Sequence, residues 1–154
     1  DRKQPSTSFK VRGRDLRVDF LTPMIGRESS EAAFLPAFGL SAKPLRFLEY
    51  LIRDPIPAVV MGTDVVLVNI PSPARFAIHK LWTSMQRPTA FQAKAAKDRI
   101  QAEQLVEVLI EDRPDDLRDA WNALTQKTRR AVLSAMKGFR PETTASVFEI
   151  LDSN

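Results

Sequence analysis

The sequence predicts an α+β protein in which a small antiparallel sheet from two β-hairpins is followed by a bundle of four to five helices. Short strand-like runs flank turn residues at positions 12–15 and again at positions 62–64, and these two observations predict the two hairpins. A third predicts the bundle, since apolar residues recur at helical spacing after Ile70. We therefore divide the chain into a β-hairpin half, residues 1–70, and a helical C-terminal region, residues 71–154.

The first hairpin carries an acid on the face opposite an apolar one. Residues 8–11 form one strand and residues 16–21 the returning strand, which Thr22-Pro23 ends. Successive side chains of a strand point to opposite faces. The apolar face therefore holds Leu16, Val18 and Phe20, and Asp19 lies on the other face.

The segment between the two hairpins is less regular. Gly26, Pro36 and Gly39 predict a long loop with one helical turn from Met24 to Leu40. Residues 44–52 fit either a short helix or a buried extended segment. The second hairpin follows, with strands at 58–61 and 65–70.

Two long helices form the centre of the predicted bundle. The first begins at Pro71-Ser72-Pro73, where Ser72 is a suitable N-cap, and ends at Arg87-Pro88. The second starts near Thr89. Their predicted apolar rows consist of Ala74, Ala77, Ile78, Leu81, Trp82 and Met85 on the first helix, and Phe91, Ala95, Asp98, Ala102, Leu105 and Leu109 on the second.

Asp98 is the charged member of its row. A carboxylate on an apolar line is costly to bury unless a cation meets it. Lys80 and Arg87 on the preceding helix are the nearest candidates in sequence. The spacing alone favours a structural ion pair that joins two antiparallel helices. Further helices are predicted from Pro114, at 127–137 and at 141–151.

Composition excludes several classes of site. The chain of 154 residues has no cysteine and one histidine, so disulfides, thiolate metal sites and a Ser/His triad are excluded or improbable. Its net charge of +4 permits contact with polyphosphate or nucleic acid. No apolar run suits a membrane helix and no signal peptide is visible, which predicts a cytoplasmic protein.

The remaining chemistry rests on carboxylates and cations. The five glycines are isolated, so no Gly-rich phosphate loop is present, and no serine lies in a nucleophile elbow. Hard Mg²⁺ takes oxygen ligands, and a triphosphate is met by Lys or Arg. A metal-dependent phosphoryl or nucleotidyl transfer site is therefore the class that these residue types allow.

Four stretches carry a resemblance to a known family: residues 16–23 (LRVDFLTP), 38–45 (FGLSAKPL), 71–81 (PSPARFAIHKL) and 96–105 (AKDRIQAEQL). Together they resemble the C-terminal portion of a bacterial nucleotidyltransferase-like family. That family belongs to the DNA polymerase β-type superfamily, near the abortive-infection nucleotidyltransferase toxins. The likeness spans residues 9–120.

The resemblance implies an NTP substrate, Mg²⁺ in the intact protein and an RNA or protein acceptor. It implies that Asp19 is the third metal-binding carboxylate of the superfamily and has a catalytic role. It further implies that Lys80, Arg87 and Lys97 bind the nucleotide and that Asp98 supports the site.

The chain departs from the superfamily's pattern in one respect. The Gly-Ser and Asp-x-Asp elements do not occur in the sequence. We therefore expect them in an N-terminal half of the same protein, and expect residues 1–154 alone to be inactive. The alternative is a non-catalytic helical interaction or regulatory domain, in which Asp19 is an exposed strand acid and Lys80 only pairs with Asp98. His79 is expected on the helix surface or partly packed.

Overall fold

A computed structural model of the protein describes residues 6–152 and confirms the α+β class. The strands are β1 Ser8–Lys10, β2 Arg17–Asp19, β3 Leu21–Pro23, β4 Ala33–Leu35, β5 Leu40–Leu45, β6 Ile56–Met61 and β7 Val65–Ile70. The helices are α1 Leu48–Ile52, α2 Pro73–Gln86, α3 Gln92–Asp112, α4 Pro114–Asn122, α5 Gln126–Met136 and α6 Pro141–Asp152.

The chain divides into two compact units, one that ends at Ile52 and one that begins at Arg53. The first unit contains β1 to β5 and α1, and the second contains the β6–β7 hairpin together with α2 to α6. The predicted domain boundary after residue 70 stays a prediction.

The first unit contains the first predicted hairpin and a mixed sheet. Strands β1 and β2 pair antiparallel, with Ser8 opposite Asp19. Beyond the hairpin, β3 pairs parallel with β5, and β4 pairs antiparallel with β5 on its other side. The prediction of a sheet built only from antiparallel hairpins therefore missed the parallel pairing of β3 with β5.

The predicted strand 16–21 divides at Phe20 into β2 and β3, and Thr22-Pro23 forms the last two residues of β3 instead of following the strand. Strand β3 is at the edge of its sheet, where a proline that donates no hydrogen bond is tolerated. Pro44 is tolerated in the central strand β5 for a related reason. Strand β4 pairs only with residues 40–42 of β5, so at Pro44 strand β5 has a neighbour, β3, on one side only. Pro44 therefore lies where β5 has one open edge, and a residue without an N–H is tolerated at such an edge.

The predicted loop from Met24 to Leu40 contains the short strand β4 and a turn of 3-10 helix at Pro36–Phe38. The helical turn is confirmed, and Gly39 ends it in the left-handed region with φ of 61°. A strand of three residues is too short to show an alternating pattern, which explains why the sequence did not reveal it. For residues 44–52 the sequence left open a short helix or an extended segment. The structure contains both, because β5 continues to Leu45 and Leu48–Ile52 form helix α1.

The face of Leu16, Val18 and Phe20 is not a buried core face among the described residues. Leu16 and Val18 are exposed, and Phe20 is half-buried in an edge-to-face contact with Phe9 whose ring centroids lie 5.7 Å apart. Only Arg17, Val18 and Asp19 form strand β2, and all three are exposed. Burial of one face requires a covering layer, which alternation by itself does not specify.

In the second unit, β6 and β7 form the second predicted hairpin around residues 62–64. Of their twelve residues none is charged. The two strands pair in full register from Ile56 opposite Ile70 to Met61 opposite Val65. The hairpin leads directly into α2.

Helix α2 is the centre of the bundle and packs against α3, α4 and α5. Leu81 on α2 and Val132 on α5 are the largest side chains that are completely buried. Helix α6 closes the bundle against α3 and α4. The apolar core of these helices consists of Ala74, Ala77, Ile78, Leu81, Ala95, Ala102, Val106, Leu109, Leu117, Ala120, Leu124, Val132, Ala135, Met136, Phe139 and Val147.

The predicted apolar rows hold with two corrections. Met85 is exposed and the small Ser84 is buried instead, where its hydroxyl donates to the Leu81 carbonyl at 2.7 Å. Phe91 is exposed because it lies in a 3-10 turn that precedes α3. None of the helices in the described part of the chain has both the length and the apolar character that crossing a bilayer requires.

Candidate functional site

The candidate site lies on two antiparallel helices whose ends are set by local sequence. The Ser72 hydroxyl accepts from the Arg75 amide at 3.3 Å and caps α2, and Pro73 occupies its first position. Arg87 leaves the helical conformation, as the residue before Pro88 must. The short connection that follows turns the chain so that α3 runs back along α2.

Asp98 is held between two cations, one on α2 and one directly after its last residue. It is only 7% exposed. Lys80 donates from Nζ to one carboxylate oxygen at 3.0 Å, and Arg87 donates from Nε to the other at 2.7 Å. Arg87 Nη2 is 2.6 Å from that same oxygen. The predicted pairing is confirmed, and it includes both candidate cations rather than one.

The cations determine the charge state of Asp98. Burial disfavours the ionised carboxylate, but the hydrogen bonds from Arg87 and Lys80 outweigh that effect and lower the pKa of Asp98 below its ordinary value. The ion pairs therefore stabilise the fold above the ordinary pKa of an aspartate. Their contribution is lost as the pH falls through the lowered pKa.

The cluster carries more positive than negative charge. One buried carboxylate meets two cations, and their side chains remain 18% exposed for Lys80 and 34% exposed for Arg87. Lys97 is exposed on α3 and makes no ion pair with any acid of residues 6–152. The structure thus brings together three of the predicted site residues, Lys80, Arg87 and Asp98, and leaves Lys97 outside their ion pairs.

His79 lies beside the cluster on α2 and is half-buried, in agreement with the expectation of a partly packed residue. Burial is the main cause that lowers the pKa of His79 to about 4; the adjacent charge of Lys80 acts in the same direction and Asp98 in the opposite one. The imidazole is therefore neutral at physiological pH and does not add to the positive charge of the cluster.

A groove extends from the cluster along the seam between α2 and α3. It has a volume of about 500 Å³. Phe76 and Lys80 line it from α2, and the Lys80 ammonium lies 4.9 Å from the centroid of the Phe76 ring. Helix α3 contributes Gln101, Gln104, Leu105 and Val108.

Asp19, the predicted metal ligand, is the last residue of β2 in the first unit and is exposed. Among residues 6–152 no group of three His, Asp or Glu side chains is arranged to hold a metal ion. Asp19 therefore belongs to no such group in the described part of the chain.

Sequence reasoning missed a buried arginine near the start of α2. Arg75 is 9% exposed, and its Nη2 donates to Asp54 at 2.8 Å. The two residues are separated by the whole β6–β7 hairpin, so no local spacing signals the pair. Asp54 itself has φ of 54°, a left-handed conformation that aspartate tolerates better than most residues.

It also missed the polar contacts between α3 and α6. Glu103 accepts from the Arg140 amide at 2.6 Å, directly before the first residue of α6. Glu107 accepts from the Thr143 hydroxyl at 2.9 Å and also pairs with Arg140. The i, i+4 spacing of the two glutamates was visible in the sequence, but their partners lie more than thirty residues away.

Comparisons with known proteins give one positive result. Neither the comparison with curated proteins nor that with solved structures finds a match. A family model described as nucleotidyltransferase matches residues 1–126, which include both hairpins and helices α1 to α4. Because that match covers most of the chain, the protein belongs to this nucleotidyltransferase family.

Proposed function

We propose that the protein transfers a nucleoside monophosphate from an NTP to an acceptor hydroxyl on RNA or protein. In this proposal the reaction depends on Mg²⁺ and takes place in the bacterial cytoplasm. Residues 1–154 form the C-terminal portion of an enzyme of the DNA polymerase β type, near the abortive-infection toxins. Family membership supports nucleotidyl transfer, and the resemblance of four stretches supports the finer assignment.

The observation that carries the proposal is the pairing of one buried carboxylate with two cations. A structural ion pair needs a single cation, whereas Asp98 meets both Lys80 and Arg87. The extra positive charge is partly exposed and is neutralised by no other acid among the contacts of the described residues. Such a preorganised excess of positive charge suits an anion such as a triphosphate.

The chemistry gives these cations a role. The acceptor oxygen attacks the α-phosphorus, the bond from that phosphorus to the oxygen bridging to the β-phosphate breaks, and pyrophosphate leaves with the electron pair. The hydroxyl proton passes to solvent. Negative charge increases on the departing pyrophosphate, and cations already held in place stabilise it without reorganisation. Asp98 keeps Lys80 and Arg87 in that position, and Lys97 contributes a further charge from the surface of α3.

Asp19 has a narrower role in the proposal. A single exposed carboxylate does not form a magnesium site, so residues 6–152 do not fit the metal by themselves. We assign Asp19 as one of three acidic ligands of Mg²⁺, and we assign the other two ligands to an Asp-x-Asp element in an upstream part of the same protein. Residues 1–154 alone are then inactive.

The test compares Asp19→Asn with Asp15→Asn in the full-length protein. Asp15 is an exposed acid in the turn of the same hairpin, with only a loose ion pair to Lys10 at 3.8 Å. Both variants are incubated with labelled NTP, Mg²⁺ and a crude pool of RNA and protein. We expect Asp19→Asn to reduce labelling at least ~100-fold, by analogy with loss of one electrostatic contact in the transition state. Asp15→Asn should label as the wild type does.

Equal labelling by wild type and Asp19→Asn would show that Asp19 is an ordinary strand residue. Absence of labelling by the wild type, together with no binding of any NTP, would favour the non-catalytic interaction domain. In that case the excess charge at Lys80 and Arg87 would serve a protein or nucleic-acid partner.

A further inference from the structure

The groove between α2 and α3 begins at Lys80, one of the proposed triphosphate cations, and continues away from the Asp98 cluster. Lys80 belongs to both features, because it contacts Asp98 and also lines the groove. From Gln101 to Val108 the groove follows eight residues of α3, roughly 10 Å at the rise of an α-helix. This distance suits a ribose and a base that extend from a phosphate chain bound at Lys80.

The lining combines an apolar floor with polar groups along one helix. Phe76, Leu105 and Val108 supply apolar surface, and Phe76 and Val108 are exposed. The side-chain amides of Gln101 and Gln104 make no hydrogen bond with any residue between positions 6 and 152. Each amide offers both donors and an acceptor. A flat ring with an apolar face and a hydrogen-bonding edge matches such a surface.

We propose that this groove binds the nucleobase of the NTP, with the ring against Phe76, Leu105 and Val108 and its polar edge at Gln101 and Gln104. The volume of about 500 Å³ lies within the range of small-molecule sites. The inference rests on the proposed function, because it takes Lys80 as a triphosphate contact. It adds that the protein distinguishes among bases through two glutamine side chains.

The experiment measures equilibrium binding of ATP, GTP, CTP, UTP and inorganic tripolyphosphate to the 154-residue chain at one fixed ionic strength. Tripolyphosphate has the charge of the substrate but no base. We expect at least one NTP to bind about 10-fold more tightly than tripolyphosphate, as one or two hydrogen bonds would provide. The double variant Gln101→Leu/Gln104→Leu should bring that NTP to the affinity of tripolyphosphate. Its affinity for tripolyphosphate should stay unchanged.

Two further variants make the result specific. Val108→Glu places a charge in the groove at an exposed position, so it tests the site without disturbing the core and should also weaken NTP binding selectively. Gln126→Leu, at the exposed start of α5, is the matched control and should bind every ligand as the wild type does. Thermal unfolding confirms that each variant is folded.

The possible outcomes separate the two proposals. If all four NTPs and tripolyphosphate bind equally and the groove variants change nothing, the base site is refuted and the triphosphate site stands. If neither NTPs nor tripolyphosphate bind, the assignment of Lys80 and Arg87 as triphosphate contacts fails and the base site fails with it, whereas the Asp19→Asn labelling assay still decides the transfer reaction. Selective loss of NTP affinity in the groove variants supports both.

Discussion

At the scale of single residues, Asp98 shows how a buried charge constrains two helices. Its carboxylate oxygens are each bonded by a different cation of α2 or of the connection that follows α2. Removal of one partner from such a cluster leaves charges that are partly buried and uncompensated. The cost of a substitution here therefore arises mainly from the groups that remain.

The first prediction concerns this cluster. Asp98→Ala leaves Lys80 and Arg87 next to each other without the carboxylate between them, and we expect it to lower the free energy of unfolding by about 3–5 kcal/mol. Asp112→Ala, at the exposed end of the same helix, should change it by less than ~0.5 kcal/mol. Urea unfolding measures both. A negligible shift of the Asp98→Ala midpoint would contradict the burial of this face.

The second prediction concerns pH. Because the pKa of His79 is lowered to about 4 in the fold, the unfolded chain binds a proton near the ordinary value of 6.5 and the folded chain does not. Stability should therefore decrease as the pH falls from about 6.5 to about 4, and this part of the loss should end below that range. Lys80 and Asp98 are the charged groups that act on this histidine.

His79→Gln should remove this component while leaving the loss that comes from the carboxylates. The measurement is the difference in unfolding free energy between wild type and variant from pH 7.5 to pH 3.5. We expect the difference to vary mainly between pH 6.5 and pH 4. Parallel curves over that interval would show that His79 titrates normally in the fold.

At the scale of elements, α6 is tied to α3 by acids rather than by apolar contacts alone. Glu103 lies at the N-terminus of α6 and accepts from the Arg140 amide, where a negative charge is favoured by the helix dipole. Val147 and Thr143 are the buried residues of this helix. The position of α6 thus depends on side chains that are distant in sequence.

Glu103→Ala tests this attachment. We expect it to cost about 1–2 kcal/mol, as the loss of a good N-terminal cap does. Glu111→Ala, an exposed glutamate two turns further along α3, is the control and should cost less than ~0.5 kcal/mol. Amide hydrogen exchange should become faster in the first turn of α6 and stay unchanged in α2. Equal protection of α6 in both variants would mean that Glu103 does not hold it.

At the scale of the molecule, the helical unit extends beyond the family match. The match ends at residue 126, yet Val132 and Val147 on α5 and α6 are buried in the same core as Leu81. Residues 127–152 are therefore part of the structure that positions Lys80 and Asp98. This supports treating the whole helical region as one folding unit.

Fragments test that conclusion. Residues 53–154 should fold alone and unfold cooperatively, because their core is built entirely within that unit. Asp98→Ala should cost the same in the fragment as in the whole chain, within about 0.5 kcal/mol. A fragment of residues 53–126 lacks α5 and α6 and should not fold. Circular dichroism with urea measures all three, and cooperative unfolding of the shorter fragment would refute a shared core.

The sequence by itself determined the features that depend on local pattern. Turn residues located both hairpins, and Ser72 with Pro73 and Pro88 located the ends of α2. The ion pairs of Asp98 were also within reach of the sequence, because a charged residue in an apolar row needs a cation and the preceding helix of an antiparallel pair supplies it. The resemblance of four stretches to a nucleotidyltransferase family agreed with the family match at that level.

Only the tertiary structure decided which distant segments meet. The parallel pairing of Leu21 with Lys43, the bond from Arg75 to Asp54, the contacts of Glu103 with Arg140 and the groove beside Lys80 all join residues far apart in the chain or on different helices. Hydrophobic period and turn chemistry specify which face of an element is apolar. They do not specify which other element covers that face, because this choice depends on the packing of the whole chain.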